Sequence, residues 1–434
     1  MKLKSKFKSK LKIGLLFGLI TLGALILRFN HYEQLVNFHL DPPLFLNEVK
    51  EMVDSGKLRL IGPLVATKVI EGRYFFTGPT FYWLLAILGI VLNWDVLLMT
   101  GFFALWWVGT FILIFFWLKR RFELSIALLV YALIAFIPFL IPYSRLIWNV
   151  SLIPLFSVLL LWFLEERKKR KLNWFLAGLA FGLGMSIHYS SGLWFLILFY
   201  YFFKELKEKK FVLLNWVWLG LGAVLAETPL LLFELRHDFY NLRTILFQIR
   251  YFQPSVSYSF SFRTQYYYYI FPFIPLMAKA YGLLLERLKK KISFEWIFIS
   301  QIILIIWFFV YSLLGPQREA LINPAHWTIT RQKEVAQMIV DDNEKGFEVA
   351  AIINSDTRAG ELRWWLKQMG HQPMGLEEYN QTDILYLVAP ETRPPGEEKV
   401  YEISSLRPFE IEKEVDIGDG YIFYKLIRLP KEEP

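Results

Sequence analysis

Residues 97–118 read LLMTGFFALWWVGTFILIFFWL and are followed at once by Lys119-Arg120-Arg121. A run of this length without one charged side chain is enough for a helix to cross the roughly 30 Å hydrocarbon layer of a bilayer, which takes about 20 residues. The basic knot behind it sits where the positive-inside bias places lysine and arginine, at the cytoplasmic end of a span. Working outward, further apolar runs fall at 13–27, 79–94, 123–143, 147–164, 173–187, 191–203, 212–233, 265–284 and 294–315. The pattern predicts an all-α polytopic membrane protein with about 9–10 apolar segments, counted from the sequence. The composition agrees, at 55% hydrophobic and 18% aromatic residues with a mean hydropathy of +0.37.

The chain has no cysteine, which excludes disulfides, thiolate metal sites and cysteine nucleophiles together. The net charge of +9 does not point to nucleic acid, because the basic residues gather in knots at the ends of apolar runs. The first twelve residues carry six lysines and no acid, and Arg28 closes the run that follows without a small-x-small cleavage pattern. An uncleaved first helix starting in the cytoplasm is therefore expected.

The knots at 119–121, 165–171, 204–210 and 287–291 then lie inside, and the intervening loops face out. The outer set holds the loop after the first helix, the turn 143–149, the turn 188–191 and the loop 234–263. Two full crossings between residues 79 and 118 would put the Arg120 knot on the wrong side, so the short run 79–94 is expected to be a half-span or interfacial segment. Localisation in the plasma membrane follows, with many passes, the N-terminus cytoplasmic and the C-terminal part extracytoplasmic.

After residue 316 the composition becomes mixed and charged. Helical periodicity at 329–340 and 360–369 alternates with strand-like runs at 347–354, 384–388 and 421–428, which predicts a small soluble α/β domain. The division expected is a transmembrane domain at 1–316, with a first outer loop at 29–79, and an extracytoplasmic domain at 317–434. No Gly-rich phosphate loop, HExxH or GxSxG occurs in the latter. Arg363-Trp364-Trp365 is either a sugar-stacking platform or one face of a core helix.

The first outer loop is where chemistry is expected. It carries Asp41, then Glu48 and Glu51, then the aromatic stretch Tyr74-Phe75-Phe76-Thr77-Gly78-Pro79-Thr80-Phe81-Tyr82-Trp83. A carboxylate at a membrane face beside apolar surface suits work on a lipid-linked substrate. In order along the chain stand Asp41, Gly56-Lys57-Leu58, Leu60-Ile61-Gly62-Pro63, the Thr77–Trp83 motif, Ser144-Arg145 with Trp148-Asn149, Ile187-His188-Tyr189, and Phe233-Glu234-Leu235-Arg236-His237-Asp238-Phe239. In these motifs the chain resembles the GT-C superfamily of integral-membrane glycosyltransferases, in the branch of protein O-mannosyltransferases and lipid A aminoarabinose transferases, over about residues 10 to 315.

That resemblance implies a GT-C-like helical bundle and transfer of a sugar from a polyprenyl-phosphate donor to an acceptor hydroxyl at the outer face of the cell envelope, with inversion. The acceptor is a glycan, a lipid or a protein, and the membrane lipid itself is a partner. Such a reaction needs a carboxylate to take the acceptor proton and cations for the leaving phosphate. Asp41 matches the family's first-loop acid, with an Asx turn or helix cap as the alternative. Pro42 stands where many relatives have a second acid, and Glu48 is the candidate for that role, with a solvated helix face as its alternative.

Arginine at the outer ends of spans suits the phosphate, since its planar fork gives paired charge-assisted bonds. The candidates are Arg145, Arg236, Arg263 and Arg73, against snorkelling to headgroups or, for Arg236, an ion-paired loop brace. Tyr82, His188 and His237 are candidate pocket-lining residues. No cofactor is certain and a divalent metal stays an open alternative, since the arginines can neutralise the phosphate without an ion and His237-Asp238, as adjacent ligands alone, make a poor cage. A flippase for lipid-linked sugars and a non-catalytic scaffold are the competing classes. No internal repeat of the kind transporters carry is visible.

Overall fold

The structure is a computed structural model that describes residues 2–65, 72–251, 264–314, 324–354 and 356–430. From the N-terminus run α1 (Lys2–Phe29), a one-turn α2 (Tyr32–Leu35), α3 (Asp41–Asp54), α4 (Thr80–Val91), α5 (Val96–Leu118), α6 (Leu124–Phe136) and the short α7 (Leu140–Tyr143). Then come α8 (Ile153–Glu166), α9 (Lys171–Ile187), α10 (Phe195–Lys207), α11 (Leu213–Arg236), α12 (Tyr240–Tyr251), α13 (Ile274–Lys289) and α14 (Phe294–Leu314). The chain closes with α15 (Ile329–Asp342), β1 (Phe347–Ala351), α16 (Gly360–Gln368), β2 (Ile384–Pro390), α17 (Tyr401–Leu406), β3 (Phe409–Gly418) and β4 (Tyr421–Arg428).

The chain divides into two compact units. One comprises Met1–Asn30 with Val49–Gly315, the other His31–Glu48 with Pro316–Pro434. The second unit resumes at Pro316, and the first outer loop is divided between the two units. Its first part, through Glu48, is built into the C-terminal unit. Folding of that segment is decided by residues some three hundred positions away, which no local pattern reports.

In the membrane unit, six helical stretches among the described residues are long and apolar enough to cross a bilayer, at Lys12–Phe29, Val96–Leu118, Asn149–Glu166, Leu213–Arg236, Tyr268–Lys289 and Phe294–Leu314. Three shorter apolar helices, Thr80–Val91, Lys171–Ile187 and Leu124–Phe136, accompany them. At 1.5 Å per residue α4 extends only about 18 Å, short of a full crossing as its run of residues predicts. It stops because Asn93 and Trp94 turn left-handed, at φ 52° and 58°, and the Trp94 amide closes back on the Gly89 carbonyl at 2.8 Å. The Trp94 ring covers Gly89, where any Cβ would collide with it. Asp95 then starts α5 by accepting the Leu98 amide at 2.9 Å, an N-cap that a carboxylate supplies well.

Helices α9 and α11 pack closest. A Cβ at Gly178 would strike the Leu219 carbonyl and one at Gly222 the Phe175 carbonyl, so the glycines are what lets the two backbones approach. Small residues do this in bilayers because lipid supplies no hydrophobic drive between helices and close dispersion contact must replace it.

The C-terminal unit carries a four-stranded sheet in the order β1-β2-β4-β3. The pair β1 and β2 is parallel, from Phe347 opposite Ile384 to Ala351 opposite Val388. The remaining pairs are antiparallel. One face buries Ala350, Leu385, Leu387, Tyr424 and Leu426 with Ile403 and Leu406 of α17. Three of the expected strands and both helices are present, with the first strand ending at Ala351 rather than 354. The edge strand β3 and α17 are additions to the expected set.

Candidate active site

Within the membrane unit the outer-loop motifs come together. The Gly62 amide donates to the Thr77 carbonyl at 2.8 Å, Thr77 to Pro63 at 3.1 Å and Val65 to Phe75 at 2.9 Å. The Leu60–Pro63 and Thr77–Trp83 motifs are thus two sides of one short antiparallel ladder, closed by the Trp83 indole donating to the Arg59 carbonyl at 3.0 Å. Gly78 lies against Ser186 so tightly that a Cβ would collide, and Thr80 Oγ1 meets Ser186 Oγ at 2.6 Å.

Three further segments dock on this ladder. The Tyr189 hydroxyl donates to the Phe76 carbonyl at 2.7 Å. Asn241 clamps the same residue from both sides, accepting its amide at 3.1 Å and donating to its carbonyl at 3.0 Å. Asn149 Nδ2 donates to the Ile187 carbonyl at 3.0 Å, which ties the turn 143–149 to the turn 188–191. An aromatic cluster covers the junction: Trp148 stands edge-on to Tyr268 at 4.9 Å, Tyr268 edge-on to the His188 ring at 5.5 Å, and Tyr143 is stacked with Trp148 at 6.1 Å.

Each sequence-predicted residue of this unit has a definite setting. Tyr82 is buried, at 1% exposure, in the helical core. His188 is half-buried, and its Nδ1 accepts the Ser190 amide at 3.0 Å, capping the 3-10 turn that follows. Arg145 is 3% exposed and caps the end of α1, its Nε donating to the Arg28 carbonyl at 3.1 Å and its Nη2 to the Asn30 carbonyl at 3.2 Å. A cation suits this place, because the last carbonyls of a helix lack intrahelical partners and carry the negative end of the dipole. Arg28, which the sequence marks only as the end of a run, is fully buried one turn earlier. Its Nη1 donates to the Ala24 and Ala135 carbonyls at 2.9 and 3.0 Å.

Arg236 and His237 are exposed at the end of α11. His237 stacks on Phe233 at 4.2 Å and contacts its carbonyl at 2.8 Å. Glu234 accepts the Asn241 and Leu242 amides, at 3.1 and 3.2 Å, and so caps α12. Arg73 is exposed, with its guanidinium 4.1 Å over the Phe247 ring. Arg263 lies outside the described residues. Among the described residues no group of three or more histidine, aspartate or glutamate side chains is placed to hold a metal ion.

In the C-terminal unit Asp41 opens α3 and is exposed, while Glu48 is half-buried. Seven residues make nearly two turns, so both carboxylates project from one side of α3. Pro42 and Pro43 fall in the first turn, where their missing N–H groups cost no helical hydrogen bond. Asn37, Phe38 and His39, just before Asp41, are all buried. Phe38 packs on Trp365 at 5.4 Å and Trp364 at 6.3 Å, and both indoles are themselves buried. The Arg363-Trp364-Trp365 triplet is therefore core, and Arg363 forms a buried ion pair with Glu348.

Residues 77–233 match the family described as Dolichyl-phosphate-mannose-protein mannosyltransferase. This match takes in the Thr77 ladder, Arg145, Asn149, His188 and Phe233. Over nearly the whole length, the fold is that of ArnT from Cupriavidus metallidurans, in a crystal structure bound to undecaprenyl phosphate. The likeness has a TM-score of 0.60 at 12% identity and covers 95% of this chain and 97% of the other. No curated protein matches by sequence. The family match covers residues 77–233, somewhat more than a third of the chain, and the structural likeness shows a shared fold.

Proposed function

We propose that this protein transfers a sugar from a polyprenyl-phosphate donor to an acceptor hydroxyl at the outer face of the membrane, with inversion, and that Asp41 is the general base. The observation that carries this reading is the setting of Asp41, an exposed carboxylate at the first turn of α3, directly after a segment buried on every residue from Val36 to His39. A base needs a reachable carboxylate on a well-supported backbone, and an exposed acid that follows a buried segment supports that reading. The donor class is supported by the ArnT structure, whose bound lipid is undecaprenyl phosphate.

In the reaction Asp41 takes the acceptor proton as the acceptor oxygen bonds to the anomeric carbon. The bond from that carbon to the phosphate oxygen breaks, and the lipid phosphate leaves with the electron pair. Charge growing on that phosphate calls for a fixed cation. Arg236 and Arg73, both exposed, suit that role, and Arg145 serves as the brace that ends α1. Glu48 offers a second carboxylate for acceptor hydroxyls, and His188 with its aromatic neighbours offers a surface on which a sugar can stack. The N-terminus lies in the cytoplasm and the C-terminal unit outside.

Asp41→Asn, incubated with a panel of radiolabelled polyprenyl-phosphate sugars, tests the reading. Turnover should fall by about a hundredfold or more, as expected for loss of a general base, while undecaprenyl phosphate still binds. A flippase would continue to translocate lipid and a scaffold would be indifferent, so unchanged behaviour of Asp41→Asn rejects the transferase mechanism.

A further inference from the structure

A buried polar network in the C-terminal unit ends two residues short of Asp41. His39 is 1% exposed, and its Nδ1 lies 2.9 Å from Glu361 Oε1 at the start of α16. Its Nε2 contacts the Asn354 side-chain amide. The same Glu361 oxygen accepts the Trp327 indole N–H at 2.8 Å. Gln332 of α15 donates to the Phe38 carbonyl at 3.0 Å and accepts the Trp365 indole N–H at 3.2 Å. Side chain and backbone of residues 38 and 39 are thereby fixed from α15, α16 and the turn after β1.

Between this anchor and Asp41 stands one residue, Leu40, with φ 59°. A leucine held left-handed persists only where its surroundings over-determine it. On the far side Pro42 and Pro43 fix their own φ angles, and Asn47 Nδ2 donates to the Pro43 carbonyl at 2.9 Å. Asp41 thus stands on a strap whose backbone is held before it by the contacts of Phe38 and His39 and followed by two prolines.

We propose that His39 and Glu361 are positioning residues for the reaction: their ion pair holds the strap that carries Asp41. This rests on the reading of Asp41 as the base. The pair also gives that hold a pH dependence. Burial lowers the imidazole's affinity for its proton, but the charge and hydrogen bond of Glu361 more than offset it, with help from Asn354 and Asp356, so His39 stays charged above its ordinary range. The groups facing it are Glu361 from α16 and Asp356 from the turn after β1, the latter paired with Arg358 at 2.7 Å.

The test uses the full chain in detergent, with kcat and KM measured on a radiolabelled polyprenyl-phosphate sugar and amide hydrogen exchange followed in parallel. His39→Phe should speed exchange over residues 36–41, leave the amides of β1, β2 and β4 protected, and lower kcat by about a hundredfold, the scale of a misplaced catalytic group. KM for the donor should stay within about twofold, since the lost interaction is not one with the donor. His39→Gln, which can still donate to Glu361, should restore most of kcat and flatten the fall in rate that the wild type shows as pH rises through the His39 value. If His39→Phe also loosens the sheet, Glu361→Gln is read in its place, and a lowered kcat with intact sheet amides is again expected. Wild-type kcat in these variants while Asp41→Asn is dead overturns the positioning role and leaves the base assignment standing. Turnover by Asp41→Asn instead removes the base assignment itself.

Discussion

The two units hold their functional segments by different kinds of polar contact. Around the ladder of the membrane unit, side chains end on backbone carbonyls: Arg145 on the end of α1, Asn149 on Ile187, Tyr189 and Asn241 on Phe76, Trp83 on Arg59. In the C-terminal unit charge meets charge, in the buried pairs of Arg363 with Glu348 and His39 with Glu361, and where the buried Lys425 ammonium meets the more exposed Asp342, Glu344 and Glu412 at 2.8 to 2.9 Å. A carbonyl acceptor does not titrate, so the first kind of contact is indifferent to pH. The second kind brings desolvated charges together, and its strength depends on both partners remaining ionised.

The largest expected effect follows from breaking a charge pair. Arg363→Ala leaves Glu348, which is wholly buried, without its cation, and should destabilise the C-terminal unit by about 3–5 kcal/mol. Exchange of the β1 and β2 amides on the purified protein measures that loss. Breaking a carbonyl contact costs less. Asn241→Ala removes both bonds to Phe76 and should loosen the ladder 62–65 with 75–77 by about 1–3 kcal/mol, visible as local exchange, with the same effect at pH 5 and pH 8. If the Asn241 variant responds to pH, the contrast between the units fails.

The smallest effect is a slope. Burial pushes the Glu348 carboxyl up to about 7, against the pull of Arg363, and His39 is also held above its ordinary value. In the window from the ordinary carboxylate value to about 7 the native state therefore binds more protons than the unfolded chain, so stability falls as pH rises. For His39 the contribution is complete below the unfolded imidazole value and disappears as pH climbs through the folded one. Chemical denaturation of the C-terminal unit between pH 5 and 8 should show its midpoint declining, and a rising midpoint would contradict both assignments.

The spans were legible because bilayer insertion imposes a local rule. A run without charges must be helical to satisfy its own amides, and the expected run 294–315 became Phe294–Leu314. Strand β3 was not legible, since its residues, among them Glu410, Glu412, Lys413 and Glu414, form an exposed edge with little apolar alternation. The Gly418-Asp419-Gly420 turn was the available signal, because Asp-Gly between two extended runs marks a hairpin. The candidate residues were legible as types but not as settings. Nothing local distinguishes Arg145, which ends a helix, from Arg236, which lies in the open. The tie between Phe38-His39 and α15 and α16 spans residues 294 apart, and a single sequence carries no trace of such a pairing.

That separation has a consequence for synthesis. The strap before Asp41 leaves the ribosome early, and its partners Gln332 and Glu361 are made some 300 residues later, about 15–60 s at ordinary elongation rates. Until then the strap has nothing to fold against, and closing so long a loop is an entropic cost met only when the final sheet forms. A chain halted just after the last span, near residue 314, would carry Phe38 and His39 without Gln332 and Glu361 to hold them.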